Sequence, residues 1–477
     1  MNDAPGAMSR RTVLQGAGLG LMALSLAGCT SNATNATAGT AGKGGWKQFS
    51  GTTINFISEN TAPSAAIAAN SKPFTDLTGI KVNITQMQLS DLVQKVKLDM
   101  SSGSSQYHVI YADPYQVLAP LSGGLTDLAP LVKNPSYPKV EKGLSDFIAL
   151  DAAGRFLDKD KLFALPYDCP TMIWMYRKDL FDKYHDRMKR DLGFDPTPSG
   201  SITWEQYYQI ADWFNKNGKA DVPYGTGHQA KQHDSLQCDF SNVLWAYGGD
   251  YFAGSEIGTL GSQKPGESDL TSSEAVAAAT FYQKLLGIAH PSSTSWDWDG
   301  LGSAFAAGQI AMCPNWHEYA ASNEKSLPGK VAYSILPTGP KRSANNWGGT
   351  GIGINANAKD KELGAAWLFA NWATSPDTQL MTLASKVGGG TPTRTSVYDL
   401  PQVKKNEQRP STMPNMLTAA AVLEAWKPEH IGLRPKVATW NQLDTIVYTE
   451  LSKMLAGSSS PQATMSSMAR QFDQVNK

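Results

Sequence analysis

Between Thr52 and Asp113 the chain alternates between two hydrophobic periods, and this alternation constrains its fold more than any other feature. "TTINFIS" is β-branched and alternating, and "IKVNITQ" carries Ile80, Val82 and Ile84 on one side. Between them "TAPSAAIAANSKPFTDLTG" reads as a helix closed by Gly79. "LSDLVQKVKLDMSSG" then gathers Leu89, Leu92, Val93, Val96 and Met100 on one helical stripe, with Ser90 as N-cap and Gly103 just past the end. "YHVIYAD" returns to a strand. Strands separated by helices at this spacing predict an α/β domain with a largely parallel sheet. Ligands bind beyond the carboxyl ends of such strands, so Glu59 and Asn60 after the first strand and Asp113 after the third meet at one rim. Singly, each fits a turn or a cap equally well; together they are candidate ligand contacts.

The middle of the chain is helical and aromatic, in "SITWEQYYQIADWFNKNG", "CDFSNVLWAYGGDYF" and "SSEAVAAATFYQKLLG". A second group of strands follows in "GQIAMCPNW", "KVAYSILP" and "WGGTGIGINA". The helix "KDKELGAAWLFANWATS" puts Trp367 on one stripe with Leu363, Ala366 and Ala370, a core position. No period of roughly 20 to 50 residues repeats, which excludes a solenoid. With 42 basic and 42 acidic residues the chain has no net charge, which argues against nucleic acid or an anionic surface as its main partner.

Catalytic signatures are missing from the sequence. There is no Gly-x-Ser-x-Gly elbow and no Gly-Lys-Ser/Thr phosphate loop. "VGGGTP" at 387–392 lacks the lysine and reads as a bend, and "HEYAA" at 317–321 lacks the second histidine of a zinc helix. His228, His233 and Cys238 are spaced by five, which does not stack on one helical face. A glycosidase carboxylate pair is compatible with the chain, but nothing positive points to one. No motif calls for a cofactor or a metal, and none carries catalysis.

Residues 8–29 read "MSRRTVLQGAGLGLMALSLAGC". The apolar run from Gly16 to Gly28 is thirteen residues, too short to span a bilayer, which takes roughly 20. With Arg10 and Arg11 before it, it reads as a secretory signal. The arginine pair resembles the twin-arginine export signal, with Val13 and Gln15 where Phe and Lys are usual. Leu26-Ala27-Gly28-Cys29 resembles a bacterial lipobox, which implies cleavage before Cys29 and a diacylglycerol on its thiol. Residues 1–28 are then the signal peptide and 29–50 a Ser/Thr/Asn/Ala/Gly-rich flexible tether. Of the remaining cysteines, Cys169, Cys238 and Cys313, each reads as a buried thiol, with one disulfide among the three left open.

At "KDKLFALPYDCPTMIWMYRKDLFDKY" the chain resembles the lobe crossover of the extracellular solute-binding proteins of ABC importers, of the maltose-binding type. "LTGIKVNI", "GGLTDLAPLV", "ITWEQYYQIADWF", "YGGDYF", "GQIAMCPNWHEYA", "GGTGIGINANAKDKELGAAWLFANWATSPDTQ", "GGGTPTRTSVYDLP" and "RPKVATWNQLDTIVYTEL" follow the same family in order. The resemblance implies an α/β fold of two lobes, the periplasmic-binding-protein fold, with a hinge and an interlobe cleft. Lobe one would hold residues 50–165 and 350–397, and lobe two residues 166–349 and 398–477. It further implies capture of a carbohydrate, with a sugar alcohol or glycerophospho compound as the alternative and a surface glycan-acting enzyme behind both. A permease pair with a cytoplasmic ATPase would be its partners. The protein would work as a monomer at the outer face of the cytoplasmic membrane, held by Cys29.

The same resemblance supplies the remaining site candidates. A sugar offers an apolar face to flat rings and a hydroxyl rim to carboxylates, amides and guanidinium groups. Thirteen Trp, 17 Tyr and 15 Phe make rings plentiful. Asn315 and Trp316, directly after "GQIAMCP", are expected to form the stacking platform, the other reading of Trp316 being a filler of the interlobe wall. Trp347 and Gly349 in "NWGGTG" come second. Asp168 at the crossover, Asp239 before "YGGDYF", and Asp113 with Tyr115 are expected to recognise hydroxyls. Arg394 and Arg434 either do the same in bidentate fashion or pin the hinge. Trp440 matches a cleft aromatic but also sits at helical spacing from Leu443, as a core residue would. A charged insert, "YHDRMKRDLGFDPTPSGS", departs from the family pattern and loosens the assignment of Asp239.

Overall fold

The computed structural model describes residues 45–253 and 258–477. The signal, Cys29 and the tether as far as residue 44 lie outside the described residues. Packing begins earlier than residue 50, because Trp46 and Phe49 lie against the first hydrophobic core.

Eleven strands run through the described residues: β1 (Thr53–Glu59), β2 (Lys81–Met87), β3 (Val109–Ala112), β4 (Ala164–Asp168), β5 (Met172–Arg177), β6 (Tyr224–Thr226), β7 (Ile310–Trp316), β8 (Val331–Ser334), β9 (Asn345–Asn346), β10 (Thr350–Ile354) and β11 (Ile431–Gly432). The first sheet has the order β2-β1-β3-β10-β4. β1 pairs in parallel with β2 and β3, and β10 is antiparallel to both β3 and β4. Four of the five strands therefore point one way, and Glu59, Asp113 and Asp168 emerge at the same edge. Thr350, the first residue of the reversed strand, stands opposite Asp168 on that edge.

Two local expectations change. The segment between β1 and β2 forms two helices, Ala62–Ala69 and Lys72–Thr78, because Asn70 closes the first through its side-chain amide on Ala66 O, 2.7 Å away. Gly79 closes the second at φ 73°, a left-handed conformation that suits glycine. The next helix, Leu89–Ser101, is entered from Gln88 in extended conformation, so Ser90 lies inside its first turn.

Cys169, Pro170 and Thr171 carry the chain from β4 into the second sheet, β6-β7-β5-β8. There β5 is antiparallel to β7 and β8, with Met172 opposite Trp316. The chain returns to the first sheet through β10, and packs the helix Asp360–Ala373 beneath β1 and β10. It then crosses back, so that the helices Trp440–Leu455 and Pro461–Val475 join the core of the second sheet. The result is two α/β lobes joined by three crossings.

Each lobe has its own aromatic core. Phe56, Phe74 and Phe369 meet in the first at ring separations of 5.6 and 5.3 Å, with Trp367 buried beside them. In the second, Trp174 and Trp204 each lie edge-on to Tyr207, and Tyr251 is edge-on to Trp440. Trp440 is thus a core residue. The insert after the crossover is accommodated by the helix Lys178–Leu192, ended by Gly193 at φ 77°. Cys169, Cys238 and Cys313 are buried thiols without a disulfide. No helix among the described residues is long and apolar enough to cross a membrane.

Candidate ligand-binding cleft

A cavity of about 520 Å³ opens where the strand ends of the two lobes face one another, a size suited to a small organic ligand. Lobe one contributes Glu59, Asn60, Tyr111, Asp113 and Asp168, all at or beside the carboxyl ends of β1, β3 and β4. From the facing lobe come Trp316 and Glu318 at the end of β7, and Trp298, Asp299 and Tyr319 beside them. Asp234 and Arg434 complete the floor.

The floor is organised by Arg434. Its guanidinium lies 3.6 Å from Asp113 and 3.7 Å from Asp234, and 4.2 Å over the Tyr115 ring. Asp113 also accepts from the backbone N–H groups of Tyr115 and Gln116 at 2.8 and 2.7 Å, capping the turn Pro114–Leu118. One oxygen of Asp113 is thereby committed to the backbone and the other to the guanidinium. Tyr115 lies wholly beneath this layer and does not line the cavity.

The carboxyl groups on the walls are in a different state. Burial pushes Glu59 up to about 8, although a hydrogen bond from Tyr111 opposes the shift. Glu318 is raised well above the usual carboxylate range, first by burial and then by Asp168. Burial likewise lifts Asp168 to about 6, against the Thr391 N–H that donates to it at 2.6 Å. Glu318 also accepts from the Thr391 hydroxyl at 3.0 Å, so one threonine ties the two carboxyl groups together. The wall presents neutral carboxyl donors beside carboxylate acceptors, a mixed set that suits hydroxyl groups.

Several sequence candidates lie elsewhere. Asn315 is buried behind the wall, where its side chain accepts from Trp316 N at 2.8 Å and donates to Trp298 O at 3.3 Å. It therefore sets both indole-bearing segments without facing the cavity. Asp239 is held away from the cleft inside lobe two, with His228 Nδ1 and the Tyr282 hydroxyl both 2.8 Å from one oxygen. Arg394 is a structural pin: it donates to Thr374 O, Glu141 O and Gly143 O, with its guanidinium 3.4 Å over the Phe147 ring. Trp347 is 1% exposed, so it packs in the hinge instead of meeting solvent. Gly349, at φ 41°, lies against that ring, and Gly348 lines the cavity in its place. Glu59, Asn60, Asp113, Asp168, Trp316 and Arg434 come together.

The model for bacterial extracellular solute-binding proteins matches residues 69–411. The chain belongs to this family. This solute-binding protein is 25% identical over 436 residues to the probable amino-acid ABC transporter periplasmic-binding protein y4oP of Sinorhizobium fredii, covering 88% of this chain and 89% of that one. It is also 25% identical over 425 residues to the erythritol/L-threitol-binding protein of Mycolicibacterium smegmatis, covering 82% of each. Its fold is that of maltose-bound T. maritima MalE3, with a TM-score of 0.74 at 23% identity over 89% of this chain and 99% of that one.

Five cleft residues of the solute-binding protein are not apparent from sequence reasoning: Tyr111, Asp234, Trp298, Asp299 and Glu318. Tyr111 is buried in the core of the first lobe and reaches the cavity from a strand that reads as core throughout. Glu318 lies in "HEYAA", where the missing second histidine draws attention away from a lone acid. Trp298 and Asp299 follow no period, though the dense "SWDWDG" is a signal in itself.

Proposed function

We propose that this protein captures a carbohydrate in the interlobe cleft and delivers it to the permease pair of an ABC importer. The observation that carries this reading is the composition of the cavity wall: the half-buried Trp316 and Trp298 rings beside carboxyl groups of mixed protonation. Flat rings take the C–H face of a sugar, while Glu59, Asp168 and Glu318 take its hydroxyl rim. An amino acid fits less well. Its carboxylate needs a cation, and Arg434 is already engaged by Asp113 and Asp234.

Lobe one runs from residue 50 to the end of β4 at Asp168 and again over 350–397, and lobe two over 169–349 and 398–477, so the first boundary lies three residues beyond the expected 165. A ligand touching both stabilises the closed arrangement, because only there does it gain all its contacts. Cys29 carries the lipid anchor at the outer face of the cytoplasmic membrane, export follows the twin-arginine route, and the protein acts as a monomer without turnover of its ligand. The erythritol/L-threitol-binding relative supports a second reading, in which the ligand is a sugar alcohol.

Thermal unfolding of the mature chain against mono-, di- and oligosaccharides, sugar alcohols and glycerophosphodiesters tests this. One carbohydrate class is expected to raise the melting temperature by binding linkage. A shift with polyols alone would favour the second reading, and no shift across the panel would reject both.

A further inference from the structure

The cleft has an imbalance of charge that a neutral sugar does not use. Six carboxyl groups line it: Glu59, Asp113, Asp168, Asp234, Asp299 and Glu318. Of the three cations, Lys325 and Lys386 are exposed at the mouth, and only Arg434 lies deep. Arg434 sits with Asp113 and Asp234. Among the described residues no ion pair includes Glu59, Asp168 or Glu318.

Nothing around the Asp168–Glu318 pair supplies a positive charge. The titratable groups facing it are the further acid Glu59 and the uncharged Tyr111, Tyr167, Cys169, His317, Tyr319 and Tyr398. Burial holds His317 down at about 4, so it is neutral, and it holds the tyrosines and the thiol un-ionised. The Thr391 hydroxyl bridges His317 Nε2 at 2.7 Å and Glu318 at 3.0 Å, while its N–H is on Asp168. Two carboxyl groups, one from each lobe, are thus held at the cavity wall by the backbone and hydroxyl of Thr391, with no cation paired to either among the described residues.

We propose that the solute is an amine-bearing carbohydrate whose ammonium group binds between Asp168 and Glu318. This rests on the carbohydrate reading above. An ammonium offers three donors to two carboxylates, and its charge draws the Glu318 proton out to solvent. The ligand then ties together one acid from each lobe, so the same contact favours closure.

The test compares matched probes by isothermal titration calorimetry: glucosamine, glucose and N-acetylglucosamine, and chitosan disaccharide, cellobiose and diacetylchitobiose. Titrations run at about pH 6, where an amine stays protonated, in buffers of different ionisation heat. The amine is expected to bind at least about tenfold more tightly than its neutral and acetylated twins, with proton release read from the buffer dependence. Glu318→Gln should narrow that ratio and reduce the released proton. If the variant does not fold, the wild-type buffer dependence still decides. Equal binding of the twins without proton release would overturn the inference and leave the carbohydrate reading standing. Failure of both sets would overturn both.

Discussion

The Arg434 guanidinium lies over the Tyr115 ring at 4.2 Å, with Asp113 and Asp234 at 3.6 and 3.7 Å from its terminal nitrogens. This stack joins the end of β3 in one lobe to the returning chain of the other. Replacing Arg434 by Met would leave two buried carboxylates without a counter-charge, a loss of about 3 kcal/mol. Urea unfolding should show that loss, together with loss of ligand binding. In the double variant with Asp113→Asn, part of the stability should return, and a strictly additive cycle would show that the two side chains are not coupled.

Trp316 tests the wall opposite. Trp316→Ala is expected to weaken binding by about 2 kcal/mol, roughly thirtyfold, while circular dichroism and melting stay near wild type. Asn315→Ala should weaken binding less, since that amide orients the Trp316 N–H and the Trp298 carbonyl without lining the cavity. An Asn315 effect as large as that of Trp316 would mean that the orientation of the ring, and not its face, dominates.

Much of the cleft is legible in the chain because strand ends are legible. Alternating apolar residues locate β1, the run "YHVIYAD" locates β3 and the family resemblance locates "ALPYD", and the parallel arrangement brings Glu59, Asp113 and Asp168 to one edge. What is not legible is the side on which an isolated polar residue finds its partner. Arg394 and Arg434 look alike in sequence, yet Arg394 meets the carbonyls of Thr374, Glu141 and Gly143 in lobe one while Arg434 meets the acids of the floor. Asp239 sits five residues, about 1.4 helical turns, past Asp234 and so faces away from the cavity that Asp234 lines. The aromatic surplus is misleading in the same way. Trp174, Trp204, Trp347, Trp367 and Trp440 are all fully buried, and among the tryptophans only Trp298 and Trp316 line the cavity.

Glu59 makes the ligand-free protein sensitive to alkali. Its folded value of about 8 lies above the ordinary 4.5, so between these limits the folded state binds more protons than the unfolded one. Stability therefore falls as pH rises through that window. Glu59→Gln keeps the shape and removes the titration, and should stabilise the protein by on the order of 4 kcal/mol at pH 8 relative to wild type. Melting curves at pH 5 and pH 8 would check this, and an unchanged pH dependence in the variant would assign the effect to another group.

Lys436 carries the opposite sign. Its buried ammonium donates to the carbonyls of Asp151, Ala152 and Thr259 at 3.0, 2.7 and 3.2 Å, and to that of Arg155. Burial lowers it to about 7, below the ordinary lysine value. From there up to the unfolded value the unfolded chain binds more protons, so this group makes stability rise with pH. Lys436→Met should abolish that rise. It should also leave the last-turn carbonyls of the helix Leu150–Gly154 without a donor, a loss of about 2 kcal/mol. The two effects separate by pH: near pH 6 the variant is relieved of a buried charge and its deficit is small, whereas near pH 9 wild type holds a neutral amine that still donates, and the deficit is full. A deficit constant across that range would show that Lys436 keeps its proton throughout and that the carbonyl cluster stabilises it more strongly than burial opposes it.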